Sequence, residues 1–173
     1  MFDGYRLTYK FDRLRYIIDK YANAAVVNAK DDNGWTPVHL VFIACDIVLR
    51  NGRFYDVSSD QRYIKGQLKQ IIAAFLYKGS KVTEKDKHGA SVLHYAAGTG
   101  IEEPLKSVLE ECEEDSVNKG DNFGSTPLHY AAFNNRTENT QLLLEMGCKK
   151  DQKDHNERTA VKLAELMGYT DIV

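Results

Sequence analysis

Proline is scarce, with three among 173 residues. Charged residues make up 28% and hydrophobic ones 43%. That balance excludes a wholly disordered chain and leaves enough apolar mass for a core. Cysteine is equally sparse. Cys45, Cys112 and Cys148 cannot all pair with one another, and none stands in a C-x-x-C pair. A disulfide framework and a zinc site are both excluded, and the thiols read as reduced groups of an intracellular protein. No apolar segment follows the opening Met-Phe-Asp-Gly-Tyr-Arg, so no signal peptide is expected. No apolar run of about eighteen residues exists to span a bilayer. Neither sign of charge dominates: 23 Lys and Arg face 25 Asp and Glu, a net of -2. A surface built mainly to grip nucleic acid needs a basic excess, which this chain lacks. P-loop, H-E-x-x-H, EF-hand and G-x-S-x-G signatures are missing too. Gly98-Thr99-Gly100 has neither the third glycine nor the preceding strand of a dinucleotide fingerprint. No catalytic, cofactor-binding or metal-binding residue is therefore expected. The length allows one ordinary domain or a short array.

Repetition is what the chain has. Asp31-Asp32-Asn33-Gly34-Trp35-Thr36-Pro37-Val38-His39-Leu40 aligns with the stretches Asp86–Ala97, Asp121–Ala132 and Asp154–Ala164. The shared pattern is D-x-x-G-x-T-P-L-H-x-A-A. The four starts lie 55, 35 and 33 residues apart. A period of this size marks stacked supersecondary units. Gly34, Gly89 and Gly124 suit a turn with positive φ. Thr36, Ser91 and Thr126 can cap a first helix, with Pro37 and Pro127 at its first position, where a missing N–H does no harm. Second helices are expected over Gln67–Tyr77, Ile101–Cys112 and Asn139–Met146, with Gly79 and Gly147 closing the first and the last. One helix pair cannot bury its own apolar face, and stacking does so.

The pattern closely resembles the ankyrin repeat, over roughly residues 10–173. The resemblance implies an all-α solenoid of stacked helix-turn-helix units with short β-turn or hairpin tips. Units are expected at 1–30, 31–85, 86–120, 121–153 and 154–173. The first is a degenerate N-terminal capping repeat. Its Phe11, Leu14, Ile17, Ile18 and Tyr21 have helical spacing, and Val26-Val27-Asn28-Ala29-Lys30-Asp31 matches the family's V-N-A-x-D link. The last is partial. Gly168-Tyr169-Thr170-Asp171-Ile172-Val173 looks like the start of a second helix, which fits a fragment of a longer chain, a repeat completed by a partner, or a naturally short protein. Glu157 departs from the pattern in place of the turn glycine, and Lys162 in place of the histidine.

The first full repeat exceeds the period by about 22 residues, placed near 41–66. Val41 to Leu49 continue an apolar helix until Asn51-Gly52 breaks it. Ser58-Ser59-Asp60 can cap a new helix, in which Ile64, Leu68, Ile71, Ile72 and Phe75 recur at helical spacing. Two lengthened antiparallel helices with a loop near 51–60 are expected. The loop reads either as a tolerated surface insertion or as a protrusion with Phe54, Tyr55 and Tyr63 as partner anchors.

His39, His94 and His129 share one repeat position. That places them roughly 10 Å apart, too far to share a metal held by bonds of about 2 Å. Hydrogen bonding between repeats is their expected role, while His88 and His155 lie at turns. Residues 102–115 hold Glu102, Glu103, Glu110, Glu111, Glu113, Glu114 and Asp115 against Lys106. The run reads as a solvated outer face or as a lure for a basic partner.

Ankyrin arrays bind proteins through turn tips and inner helices. Carried onto this sequence, the resemblance implies contacts at Asp32, Asn33 and Trp35. The next rungs are Lys87, His88, Ala90 and Thr99, then Asn122, Phe123, Ser125, Phe133 and Asn134, then His155, Asn156 and Arg158. Trp35, Phe123 and Phe133 belong to the class enriched in binding hot spots, unless each packs on its neighbouring repeat. Asn28 and Asn118 occupy the link position that some animal members present to asparaginyl hydroxylase. The implied function is a non-enzymatic protein–protein interaction scaffold without cofactor, nucleic-acid partner or membrane insertion. It would work in the cytoplasm or nucleus, as a monomer or in a complex that its partner completes. Alternatives are a targeting or regulatory segment of a larger enzyme or channel, and a compact regulator like the inhibitor of NF-κB. Fold alone does not choose among them.

Overall fold

The computed structural model describes residues 3–50 and 59–172, with side chains over 11–46 and 65–172. Helices α1 (Asp3–Tyr21), α2 (Ala24–Val27), α3 (Pro37–Arg50), α4 (Ser59–Tyr77) and α5 (Val92–Gly98) come first in the chain. They are followed by α6 (Glu102–Glu110), a 3-10 turn (Glu114–Asn118), α7 (Pro127–Phe133), α8 (Thr137–Glu145) and α9 (Ala160–Leu166). Two rows result. Helices α3, α5, α7 and α9 pack in succession as an inner row, and α1, α4, α6 and α8 as an outer one. Each of α3, α5 and α7 also packs on the helix that follows it. No strand occurs among the described residues; β-type pairing is an isolated bridge between Lys85 and Ser91.

The core lies between the rows. Phe42, Ile71, Ile72, Leu93, Leu105 and Leu143 are fully buried there. Each such side chain contributes roughly 1.5–3 kcal/mol by leaving water. Ala96, Ala97, Ala131 and Ala132 are also fully buried, and their small side chains let successive inner helices approach closely. Cys45 and Cys148 are buried and Cys112 partly so, all three unpaired. Burial pushes their thiols up to about 12, 12 and 11 respectively, so none is a thiolate at neutral pH.

The repeated histidine joins one repeat to the next. The backbone N–H of Thr36, Ser91 and Thr126 donates to Nδ1 of His39, His94 and His129 at 3.1, 3.1 and 3.2 Å. An amide can only donate, so Nδ1 is unprotonated and the proton sits on Nε2. His94 Nε2–H then donates to Ser125 O at 3.1 Å, and His129 Nε2–H to Arg158 O at 2.9 Å. His39 has no partner of hydrogen-bonding geometry at Nε2, although the Ala90 backbone is close enough to favour its proton. The link asparagines work in parallel on the outer row. Asn28 spans Gly79 O and the Lys81 amide, and Asn118 spans Gly147 O and the Lys149 amide.

Glu157 does the job of the turn glycine. Its φ of 60° matches the left-handed turns at Gly34, Gly89 and Gly124, and its amide returns to Asp154 O at 3.0 Å. At the other end of that unit, residues 168–172, read as the start of a second helix, follow on α9. Gly168 at φ 77° closes α9, and the Tyr169 amide turns back to Ala164 O at 2.9 Å. Asp171 and Ile172 then form a turn.

Helices α3 and α4 have 14 and 19 residues, against 7 and 9 in α5 and α6. The added length of α3 carries Asp46 to Arg136, 2.9 Å away in the α7–α8 connection. Arg136 also donates through Nε to Gly98 O at 3.0 Å. One side chain thus ties three consecutive units, whereas solenoid repeats normally touch only their neighbours. A double-mutant cycle on Asp46→Ala and Arg136→Ala is expected to give a coupling of about 0.5–1 kcal/mol in urea unfolding; additive losses would deny the tie. Gly66 lies in α4 with open space around an added Cβ. Gly66→Ala is therefore expected to stabilise the fold by about 0.5–1 kcal/mol in the same assay.

Candidate functional site

Four turns are built alike. One carboxylate oxygen of Asp31, Asp86, Asp121 and Asp154 accepts the N–H groups two and four residues further on, all at 2.8–2.9 Å. Backbone bonds then lace the tips together. Lys87 N–H reaches Asn33 O at 3.0 Å, Asn122 N–H reaches His88 O at 2.8 Å, and His155 N–H reaches Phe123 O at 2.9 Å. The tips are rigid before any partner arrives, which lowers the ordering cost of binding.

The second carboxylate oxygen faces the inner row. Asp86 accepts from the Tyr95 hydroxyl at 2.6 Å and from the Trp35 indole at 3.2 Å. Asp121 accepts from Tyr130 at 2.9 Å, and Asp154 from Arg158 Nε at 2.8 Å. Burial alone would raise the Asp86 carboxyl, but the Tyr95 hydroxyl, the Ala90 amide, the indole and the His88 amide together hold it below its usual range. Burial, reinforced by the neighbouring carboxylates, pushes both phenols far up. Tyr95 and Tyr130 therefore stay protonated donors. Their rings meet edge to face with centroids 6.4 Å apart. The sequence reading passed over this pair. The signal was the His-Tyr-Ala-Ala run that occurs twice, which puts a tyrosine at one repeat position in successive units.

Two clefts open on this face. The larger, about 420 Å³, is bordered by Phe123, Phe133, Tyr130, Asn156, Arg158 and Leu163, among others. Phe123 is 57% and Phe133 48% exposed. The smaller, about 230 Å³, lies among Phe42, Ile43, Asp46, Tyr95, Gly98 and Thr99. Both are also lined by Tyr130 and Asn134, so the two clefts adjoin at these residues and together form a groove along the inner row.

The expected contact residues fall into groups on this map. Phe123, Ser125, Phe133, Asn134, Asn156 and Arg158 line the larger cleft together. Lys87, His88, Asn122 and His155 are exposed beside it, and His88 stacks on Phe123 at 6.3 Å. Asp32 and Asn33 are exposed on the first tip. Trp35 is half-buried, its indole N–H held by Asp86 and the Tyr95 hydroxyl. It packs on the next repeat and offers no free donor. Ala90 is buried, and Thr99 is 2% exposed with its hydroxyl turned to Ala96 O, at the lining of the smaller cleft. Phe54, Tyr55 and the side chain of Tyr63 lie outside the described residues. In the acidic stretch, Glu102 and Glu103 pair with Lys106, and Glu103 also with Lys69. Glu110, Glu111, Glu113, Glu114 and Asp115 are exposed. Among the described residues no His, Cys, Asp or Glu cluster could hold a metal ion, and no helix is long and apolar enough to cross a membrane.

A family model for ankyrin repeats in three copies matches residues 63–154, and again residues 105–173. The chain belongs to the ankyrin-repeat family. Repeats of this family generally serve as protein–protein interaction modules and not as enzymes.

Proposed function

We propose that this protein is a non-catalytic interaction module that holds a protein partner against its inner-helix face and turn tips. The observation that carries the reading is the pair Phe123 and Phe133, both left exposed at the edge of a cleft on a rigid scaffold. Large aromatics in such positions are the common anchors of protein interfaces. The prelaced tips support it too, since a partner need not order them. The three unpaired thiols, two of them buried, fit work inside the cell, where they stay reduced.

Affinity capture from a lysate, followed by titration of the recovered partner, tests this reading. Phe123→Ala combined with Phe133→Ala is expected to weaken binding by about 2 kcal/mol or more. Tyr77→Ala, on the outer row and 88% exposed, is expected to leave it unchanged. The opposite pattern would place the working surface on the outer row.

A further inference from the structure

We infer that the groove recognises an extended peptide segment with two large apolar side chains and one carboxylate. The apolar pair sits on either side of Tyr130, and the carboxylate meets Lys87. The inference rests on the inner-helix face being the partner surface, and goes further by naming what that surface selects.

The floor of the groove selects apolar groups. Its charged residues are already answered within the fold: Asp46 by Arg136, Asp121 by the Tyr130 hydroxyl, and Arg158 by Asp154. An ionised group entering there would lose water and meet no free counter-charge, which is costly. Aromatic and aliphatic walls remain: Phe42 and Ile43 at one end, Phe123 and Phe133 at the other, Tyr130 between. Each cleft suits one side chain. Neighbouring rungs of packed helices stand about 10 Å apart. Phe42 and Ile43 lie on α3 and Phe133 on α7, two rungs apart because α5 stands between them. An extended chain covers that distance of roughly 20 Å in about six residues, at roughly 3.3 Å each. The even spacing keeps both side chains on one face.

The rim selects charge. Lys87 is exposed and forms no ion pair among the described residues. Its carbonyl accepts from the Asn122 side-chain amide at 3.1 Å, which fixes its backbone beside the Phe123 tip. Glu157, the acidic residue of the last tip, is held by Lys153 at 2.8 Å. Asp32 on the first tip is exposed and also forms no ion pair among the described residues. The backbone of Lys87 thus lies beside the Phe123 tip that borders the wide cleft, and its side chain is an exposed positive charge without an ion pair among the described residues. A carboxylate on the peptide complements it and leaves no buried charge unpaired.

The test uses a random peptide library displayed on phage and selected on the purified full chain. Enriched sequences are expected to share two large apolar residues about six positions apart and an Asp or Glu. A synthetic representative is expected to lose about tenfold in affinity or more on Phe133→Ala and on Lys87→Glu. Exchanging the peptide's acid for lysine should restore binding to the Lys87→Glu variant. Both sites are exposed, and circular dichroism checks that each variant keeps its helices. Loss on Phe133→Ala with indifference to Lys87→Glu overturns the carboxylate while leaving the face as the partner surface. Binding that survives both variants overturns the inference and the face together. A library that yields no shared sequence overturns the inference alone.

Discussion

Lowering the pH from 7 to 4 is expected to remove about 3 kcal/mol of folding stability through His94 alone. This side chain is 1% exposed. Burial pulls its imidazole down to about 4, against 6.5 when unfolded, and the Asp121 charge and the Ser125 carbonyl only partly oppose that pull. Its Nδ1 accepts the Ser91 amide, so a second proton would also cost the helix its cap. Between those two values the unfolded chain binds the proton and the folded chain does not. Stability from this group is therefore complete above about pH 6.5 and declines as the pH falls toward 4. His39 is lowered in the same direction by burial and adds to the loss. The carboxyls of Asp86 and Asp154 are held below their usual range, so their contribution fades only at still lower pH. Urea unfolding at pH 7, 5.5 and 4 measures the slope. His94→Gln keeps a capping-box acceptor that does not titrate, so its stability should vary much less across this window. An equal slope in both proteins would remove His94 as the cause.

Gly89→Ala is expected to cost roughly 2–3 kcal/mol, measured as a lower urea midpoint with an unchanged m-value. Two effects add. Gly89 has φ of 77°, a left-handed conformation that costs an L-residue roughly 1–2 kcal/mol. An added Cβ would also sit 2.3 Å from Asn122 Oδ1 and 2.9 Å from the Asn122 amide nitrogen. That amide is the one laced to His88 O, so the clash forces open a bond between repeats worth about 1 kcal/mol. Gly147→Ala separates the two effects. Gly147 has a similar φ of 85° with nothing within 4 Å of the new Cβ, so its loss should be the dihedral cost alone. Equal losses at the two positions would show that the tip lacing adds nothing.

Much of the fold was legible because each repeat states its chemistry locally. Asp, Gly, Thr or Ser, Pro and His each sit where a turn, a cap or a cross-repeat bond needs them. Their roles follow from backbone geometry within a few residues. Trp35 was not legible in this way. Whether it faces water or its neighbour depends on Asp86 and Tyr95, more than fifty residues away in the sequence. Tyr95 and Tyr130 went unread although their carboxylate partners lie only nine positions earlier in the chain. A tyrosine beside two alanines says nothing of a carboxylate waiting on the turn. The tie from Asp46 to Arg136 spans 90 positions and exists only because α3 runs on past the length of α5. Glu157 shows the reverse. The turn's own hydrogen bonds hold a residue with a poor left-handed preference in the glycine conformation, so the pattern survives a departure that looked damaging.

The central claim is that the inner-helix face is where this protein meets its partner. Hydroxyl-radical footprinting of the chain alone and with its captured partner tests it most directly. Phe123, Phe133 and His88 should be shielded in the complex, while the exposed outer and terminal residues Tyr21, Tyr77, Met146 and Met167 oxidise as before. Shielding of the second group with Phe123 and Phe133 unchanged would contradict the account.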